Sequence, residues 1–171
     1  MKIRPLCTQF LVLIIIALSF TAEAWCGEPM ISTGQTVYVP VYSHVALRFA
    51  PSIGWGSSKD KSKEVPFQLA TNASVRNTDP RHSITIMKAD YYNTEGSIVK
   101  KYVETPVVVA PMATTYFFVS QSDESGGVGA NFLIRWESQQ PVNEPIIESV
   151  TFGSRGTHSL SFVTKGKPIR E

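Results

Sequence analysis

The sequence predicts an all-β protein, an antiparallel β-sandwich of the immunoglobulin or fibronectin-III type with about seven or eight strands. Three observations support this fold class. Apolar and polar residues alternate with a period of two along several stretches, no stretch has a convincing helical period, and turn residues interrupt the chain at short intervals. Alternation of this kind places one face of each strand in a core and the other in water.

The N-terminus is predicted to be a secretory signal peptide. Lys2 and Arg4 precede an apolar run over residues 11–20, and Ala22 and Ala24 supply the small residues of a cleavage site. The run is shorter than the roughly 20 residues that a membrane-spanning helix needs. We expect cleavage after Ala24, release into the periplasm or the extracellular space, and no stable transmembrane span in the mature chain. Retention as an anchor is the alternative.

Cleavage leaves a nearly neutral chain with one cysteine. It removes Lys2, Arg4 and Glu23, so 14 of the 16 basic and 13 of the 14 acidic side chains remain. A net charge near +1 without a basic face argues against a nucleic-acid partner. Cys7 leaves with the signal peptide, and Cys26 alone cannot form an internal disulfide. An apolar core must therefore hold the fold.

The predicted organisation is a signal peptide at residues 1–24, a tail at 25–34, one β-sandwich domain at 35–167 and a C-terminal tail at 168–171. Segments rich in Val, Ile, Phe, Tyr or Thr are separated by turns rich in Asn, Asp, Gly and Pro. The predicted strands are, in chain order, Thr36–Tyr42, Phe67–Arg76, Ser83–Tyr92, Ile98–Val103, Thr114–Gln121, Phe132–Glu137, Ile146–Phe152 and Leu160–Thr164.

Two of these strands carry a particular signal. In the first, Pro40 lacks an amide donor, which favours a position at a sheet edge. In the second, Phe67–Arg76, apolar and polar residues alternate over the whole length, which predicts one strand that crosses the sandwich from end to end.

A glycine-rich stretch, residues 125–130, precedes the strand Phe132–Glu137. A phosphate-binding loop would require a Gly-Lys-Ser/Thr ending and a following helix. The alternation of Phe132, Ile134 and Trp136 predicts a strand instead. The glycines are therefore expected to provide positive φ or a close backbone approach, and Trp136 is expected to anchor the core.

Several short motifs together resemble a known family. They are Ser74–Asp79, Asp90–Tyr92 with Gly96, Ser125–Phe132, Pro145–Glu148, Gly153, Gly156 and Ser161-Phe162. In combination they resemble the bacterial secreted family named domain of unknown function 3124, over about residues 34–167. The resemblance implies a bacterial, exported, single-domain protein and brings no activity and no functional residues. The chain departs from the family pattern at Arg48–Pro66, and a looser similarity is to bacterial Ig-like modules.

Candidate metal ligands are scattered along the chain. His44 and His82 flank the predicted crossing strand, so they are expected at opposite ends of the sandwich, about 30 Å apart. His158 is expected at a strand end, and Asp79 is expected to serve an Asx turn. No metal site and no cofactor are predicted.

Catalytic motifs are also not apparent. Residues 58–61 spell Ser-x-x-Lys, but this motif belongs on a helix of a larger fold, and no Gly-x-Ser-x-Gly elbow occurs. Pairs of neighbouring acidic residues arise by chance in a folded chain, so the sequence leaves open glycoside hydrolysis by two carboxylates. The prediction is a non-enzymatic protein. The alternative is a small metal-handling or hydrolytic periplasmic protein that uses dispersed Asp, Glu or His residues.

The leading hypothesis is an exported interaction module that binds an envelope protein or a glycan through loops at one end. The candidate contacts are Trp55, Tyr92 and Asn131. Trp55, between two glycines, is either a binding anchor or a lid over the sandwich end. A third hypothesis is a structural envelope component in which an edge strand such as Thr36–Tyr42 pairs with another chain.

Each strand that crosses the sandwich takes the chain to its other end, so the number of crossings decides at which end each loop lies. If each predicted strand crosses once, the Trp55 loop, the turn at residues 93–96 and the glycine-rich stretch share one end. A separate crossing by Val107–Val109 would move the glycine-rich stretch to the other end.

Overall fold

A computed structural model describes residues 30–47 and 65–170. Within these residues the chain forms twelve strands, joined by turns and loops. The strands are β1 (Ile31–Pro40), β2 (His44–Leu47), β3 (Val65–Gln68), β4 (Ala70–Arg76), β5 (Ile84–Tyr92), β6 (Ile98–Lys101), β7 (Val107–Val109), β8 (Thr114–Val119), β9 (Asn131–Asn143), β10 (Ile146–Arg155), β11 (His158–Lys165) and β12 (Lys167–Ile169).

The strands form two antiparallel sheets and a small ribbon. The larger sheet has the order β12-β1-β9-β5-β6, and β7 also pairs with β5. The smaller sheet has the order β11-β10-β4-β8, and β2 pairs with β3 alone. These antiparallel sheets, which enclose one core, confirm the predicted all-β sandwich. In the described part of the chain no helix is long and apolar enough to cross a membrane.

The core lies between the inner faces of the two sheets. From the larger sheet, β9 contributes Phe132, Ile134 and Trp136, all completely buried. From the smaller sheet, Val75 and Phe117 face them as members of the same apolar cluster. Trp136 is therefore the core anchor that the sequence predicts. Full burial of such a side chain stabilises a fold by about 1.5–3 kcal/mol.

A β-bulge in β5 keeps its apolar residues on the core side. Ile84 and Ile86 face inward, and after one extra residue Ala89 and Tyr91 face inward as well. The pairing with β9 shifts register between Ile86 and Lys88. Without this extra residue, the strict period of two would turn the second pair toward solvent.

The first strand is not at a sheet edge, which corrects the prediction from Pro40. β1 lies between β9 and β12, because the predicted C-terminal tail supplies β12. Pairing with β12 is limited to Thr36–Tyr38, so Pro40 needs no amide donor on that side. Its carbonyl accepts hydrogen bonds from Ser149 and Thr164 of the other sheet, both at 2.8 Å. Because β12 occupies its outer side at Thr36–Tyr38, this strand is not the free edge strand that the third hypothesis requires.

The second predicted strand is split. The Leu69 amide donates to the Ser43 carbonyl at 2.8 Å, outside both ladders. Residues before it form β3 and pair with β2, whereas residues after it form β4 in the smaller sheet. The strand pairing of the domain extends from Ile31 to Ile169, beyond the predicted limits at 35 and 167.

A polar junction closes the end of the sandwich where β4 leads into β5. The buried Asn77 amide donates to the carbonyls of His82 (2.8 Å), Val109 (3.2 Å) and Ala110 (3.0 Å). Asp79 donates its backbone N–H to the Asn77 side-chain oxygen at 3.0 Å. One side chain thus joins the β4–β5 loop to the end of β7.

Asp79 organises the second layer of this junction. Its carboxylate accepts from the backbone amides of Arg81 (2.9 Å), His82 (2.8 Å) and Asn143 (3.3 Å). The His82 ring nitrogen Nδ1 lies 3.2 Å from the same carboxylate. This geometry confirms the predicted Asx-turn role of Asp79. The backbone amides, first that of Arg81, hold the pKa of Asp79 below its ordinary value.

Replacing Asn77 by alanine is expected to lower the free energy of unfolding by about 2–4 kcal/mol, because buried carbonyls lose their donor. Urea denaturation of the variant and the wild type measures this difference. Asn93→Ala is the control, because the Asn93 side chain accepts one exposed hydrogen bond, from the Ser97 amide. An equal effect of the two substitutions would contradict the role of the junction.

The lowered pKa of Asp79 predicts a pH dependence of stability. The folded-state pKa lies below the unfolded one, so the carboxylate contributes stability above about pH 4, and this is lost as the pH falls through the folded value. Asp79→Asn should lower Tm at neutral pH and flatten the decline of Tm in acid. Thermal melts between pH 2 and pH 7 measure both. A steeper acid decline in the variant would contradict this account.

Candidate functional site

Three loops meet at the end of the sandwich opposite to the junction. The Thr94 amide donates to the Gly126 carbonyl at 2.9 Å, and the Gly129 amide donates to the Thr94 hydroxyl at 3.0 Å. The Ser43 amide and hydroxyl both donate to the Gly127 carbonyl, at 3.2 and 3.0 Å. We call this surface, residues 41–44, 92–97 and 123–131, the loop end.

The pairing of β6 and β7 explains why these loops share one end. β6 pairs with β5 at Asp90–Tyr92, and β7 pairs with β5 at Ile84–Ile86. Both run antiparallel to β5, as successive parts of one crossing. Val107–Val109 is therefore not a separate crossing of the sandwich. The turn at residues 93–96 and the glycine-rich stretch lie at the same end, as predicted for the case in which each predicted strand crosses once.

The glycines of the loop end are needed for its backbone path. A Cβ atom on Gly126 would overlap the Tyr91 hydroxyl and lie 2.7 Å from the Ala130 Cβ. Gly127 has a φ of 75°, which side chains with a Cβ rarely adopt. The predicted roles of the glycines, positive φ and close approach, are both confirmed. The carbonyls of these two glycines and the amide of Gly129 form hydrogen bonds with other residues of the protein.

An aromatic cluster supports the loop end from below. The Tyr91 ring lies 5.2 Å from Phe132 and 6.5 Å from Tyr102, and Tyr102 lies 5.9 Å from Phe117. Burial, and then the charge of Asp123, raise the pKa of both Tyr91 and Tyr102 above the ordinary value. Both hydroxyls stay protonated at neutral pH.

Two of the three predicted contact residues lie side by side. Tyr92, the last residue of β5, is paired with Asn131, the first residue of β9. Both are partly exposed. Trp55 lies outside the described residues, between β2 and β3. That ribbon joins the sandwich at the loop end, where the Ser43 hydroxyl lies 3.1 Å from Nδ1 of His44.

The histidines are dispersed, as the sequence predicts. His44 lies at the loop end, His82 lies in the junction at the opposite end, and His158 is the exposed first residue of β11. In residues 30–47 and 65–170, no group of three or more His, Cys, Asp or Glu side chains could hold a metal ion.

Sequence reasoning missed one surface, the outer face of the smaller sheet. Tyr116 and Phe118 of β8, Val150 and Phe152 of β10, and Val163 of β11 lie on this face. We call these five residues the apolar face. A signal was present in the sequence, since apolar residues occupy both alternating sets of positions in β8 and β10.

Comparisons with known proteins agree with the family resemblance. A family model described as "Protein of unknown function (DUF3124)" matches residues 34–169. No curated protein matches the chain. The structure titled "Crystal Structure of Thermotoga maritima 1070" is similar over 78% of this chain and 92% of that chain, with 10% identity and a TM-score of 0.40.

The contact between Gly126 and Tyr91 predicts a rescue. Gly126→Ala is expected to lower the free energy of unfolding by about 1–3 kcal/mol through overpacking. Tyr91→Phe removes the overlapping hydroxyl, which has no hydrogen-bond partner in the described residues. The double variant should therefore be more stable than the sum of the single effects implies. Chemical denaturation of all four proteins measures this coupling, and strict additivity would contradict it.

Proposed function

The chain belongs to the family described as protein of unknown function (DUF3124), and we propose that it is an exported, non-enzymatic interaction module that binds a protein partner through its loop end. Export follows from the predicted signal peptide. The binding role is supported by one observation above all, namely that three loops are fixed to one another by hydrogen bonds through Thr94, Ser43 and the glycine carbonyls.

Preorganisation is the physical reason why this observation matters. A flexible loop loses conformational entropy when it becomes ordered on binding. A loop that is already fixed does not have this cost. At the loop end, Thr94 and Ser43 each hold the glycine-rich stretch by two or more hydrogen bonds. The surface can therefore meet a partner without rearranging. Binding residues are commonly found on loops that a rigid scaffold holds in place.

Composition favours a protein over a glycan as the partner. The loops and the strand ends beside them are rich in Tyr, Ser, Gly and Asn, and Tyr92 is paired with Asn131. These residue types supply contact area and adaptable hydrogen bonds in protein-binding loops of immunoglobulin scaffolds. Val128, which is 46% exposed, adds an apolar contact. A glycan ligand is the other outcome of the test below.

The alternative is a metal-handling or hydrolytic protein that uses dispersed Asp, Glu or His residues. Elemental analysis of the purified protein for copper, zinc and calcium tests it directly. A stoichiometric metal that is lost on chelation would support the alternative and contradict the proposal. A metal-free protein that captures its partner would support the proposal.

Site-specific photo-crosslinking in cells tests the binding role. A photoreactive residue at position 92 or 131 is expected to capture the same envelope protein, which mass spectrometry identifies. The control position is Arg81, which is exposed at the opposite end. Capture from position 81 alone, or no protein capture together with binding to an isolated envelope glycan, would contradict the proposal of a protein partner.

Trp55 provides a further prediction. If Trp55 is a binding anchor, Trp55→Ala should weaken partner binding about 30-fold or more, as for other tryptophan anchors, while Tm stays unchanged. Binding measurements with the crosslinked partner and thermal melts separate the two effects. A large fall in Tm would instead show that Trp55 is a lid over the sandwich end.

A further inference from the structure

The smaller sheet ends on one side in β11, and the outer edge of this strand is open. The sheet order β11-β10-β4-β8 places β10 on one side of β11, and no strand of residues 30–47 and 65–170 pairs with its other side. β11 pairs with β10 over its whole length in one continuous register, without a bulge. An edge strand presents a row of unpaired backbone N–H and C=O groups. The structure that satisfies such a row is another β-strand.

The other edges of the two main sheets in the described part of the chain are protected. β12 has three residues, among them Lys167 and Pro168. β6 and β7 have four and three residues, and two of the four residues of β6 are lysines. Beside β8, the Tyr102 hydroxyl donates to the Phe118 carbonyl at 2.9 Å. Short strands, lysine, proline and a covering group are the means by which proteins prevent pairing at sheet edges.

β11 has none of these protections. It has eight residues, and its ionisable residues, His158 and Lys165, stand at its two ends. The residues between them, 159–164, include no charged residue, no proline and no glycine. Leu160 is 38% exposed and Val163 is 56% exposed. A regular, uncharged edge of this length is a site at which a further strand adds to a sheet.

The two faces of β11 decide which side chains the added strand can carry. Leu160 and Phe162 lie on the core side, because Phe162 is paired with the buried Thr151 and its ring lies 5.4 Å from that of Tyr42. The outward face carries small or β-branched residues, namely Ser159, Ser161 and Val163. The added strand therefore needs apolar side chains on one face and small side chains on the other. The sequence of β11 itself meets this requirement.

We propose that β11 pairs with β11 of a second copy of this chain, antiparallel, around a two-fold axis at Ser161. The two smaller sheets then continue into each other as one sheet. Residues opposite each other in an antiparallel pair lie on the same face, and an axis at Ser161 meets this condition. Leu160 lies opposite Phe162 of the second copy on the core side, and Ser159 lies opposite Val163 of the second copy on the outward side.

This register is complementary to itself. The two-fold axis creates the apolar pair of Leu160 and Phe162 twice, once on each side of Ser161. Lys165 lies beyond the paired residues 158–164, so that like charges do not meet. Moving the axis to Phe162 would place Leu160 opposite Thr164 and would bring Lys165 into the paired segment. The axis at Ser161 is therefore preferred.

The pairing closes at two copies. A two-fold interface uses the same edge of both copies, and the edge at the other side of the sheet is covered by Tyr102. The assembly therefore does not extend into a fibre. One pair of strands buries less than the roughly 800 Å² per partner of a standard interface, so we expect a weak dimer with a dissociation constant on the order of micromolar.

Sedimentation equilibrium of the purified protein over a range of concentrations tests the proposal. The wild type is expected to dimerise. Ser161→Lys and Ser161→Glu should each raise the dissociation constant about 5-fold or more, because like charges meet on the axis. A mixture of the two variants should associate again, because opposite charges then meet. Thr114→Lys is the control, since Thr114 is exposed on β8 at the other side of the same sheet, and it should leave dimerisation unchanged. Circular dichroism verifies that each variant is folded.

Disulfide crosslinking locates the axis. In a background of Cys7→Ser and Cys26→Ser, Ser161→Cys should form a linked dimer under mild oxidation, because Cα atoms that lie directly opposite each other are about 4.5–5.5 Å apart. Ser159→Cys is the matched control on the same face. Its two copies are offset by four residues, about 13 Å along the strand, and should not link.

A wild-type monomer at all concentrations would overturn the proposal. So would assemblies larger than a dimer, a dimer that Ser161→Lys does not weaken, a mixture of the two charged variants that stays monomeric, or linkage through position 159 in place of position 161.

Discussion

Burial of β9 between the two sheets is the constraint on which the rest of the structure depends. Its inward side chains, Phe132, Ile134 and Trp136, are completely shielded from water, and its backbone pairs with β1 on one side and β5 on the other. In the predicted mature chain, with its single cysteine, this core has no disulfide to assist it. The bulge in β5 is a local adjustment that keeps apolar side chains on the core side.

The two ends of the sandwich are built differently, although polar groups close both. At the junction, Asn77 and Asp79 satisfy backbone groups of several segments, so these side chains are used for structure. At the loop end, the glycine-rich stretch docks on Thr94 and covers the Tyr91 hydroxyl. The motifs that carry the family resemblance lie largely at these two places. They therefore describe how the fold is closed, and functional contacts must be sought on the exposed surface around them.

Two separate surfaces follow from this architecture. The loop end is polar and fixed by hydrogen bonds, and it includes the paired residues Tyr92 and Asn131. The apolar face is the outward side of the smaller sheet, where Tyr116, Phe118 and Val163 are exposed.

The sequence alone determined the fold class, seven of the eight predicted strands and the roles of Trp136, Asp79 and the glycines, because alternation and turn chemistry are local properties. Only the tertiary structure decided which face of β10 points inward. Ile146, Val150 and Phe152 face solvent, whereas Ser149 and Thr151 are buried, because hydroxyls of β4 and β11 and the Pro40 carbonyl satisfy them. Such partners are distant in sequence, so the alternation of β10 could not reveal them. The pairing of β12 with β1 escaped prediction for the same reason.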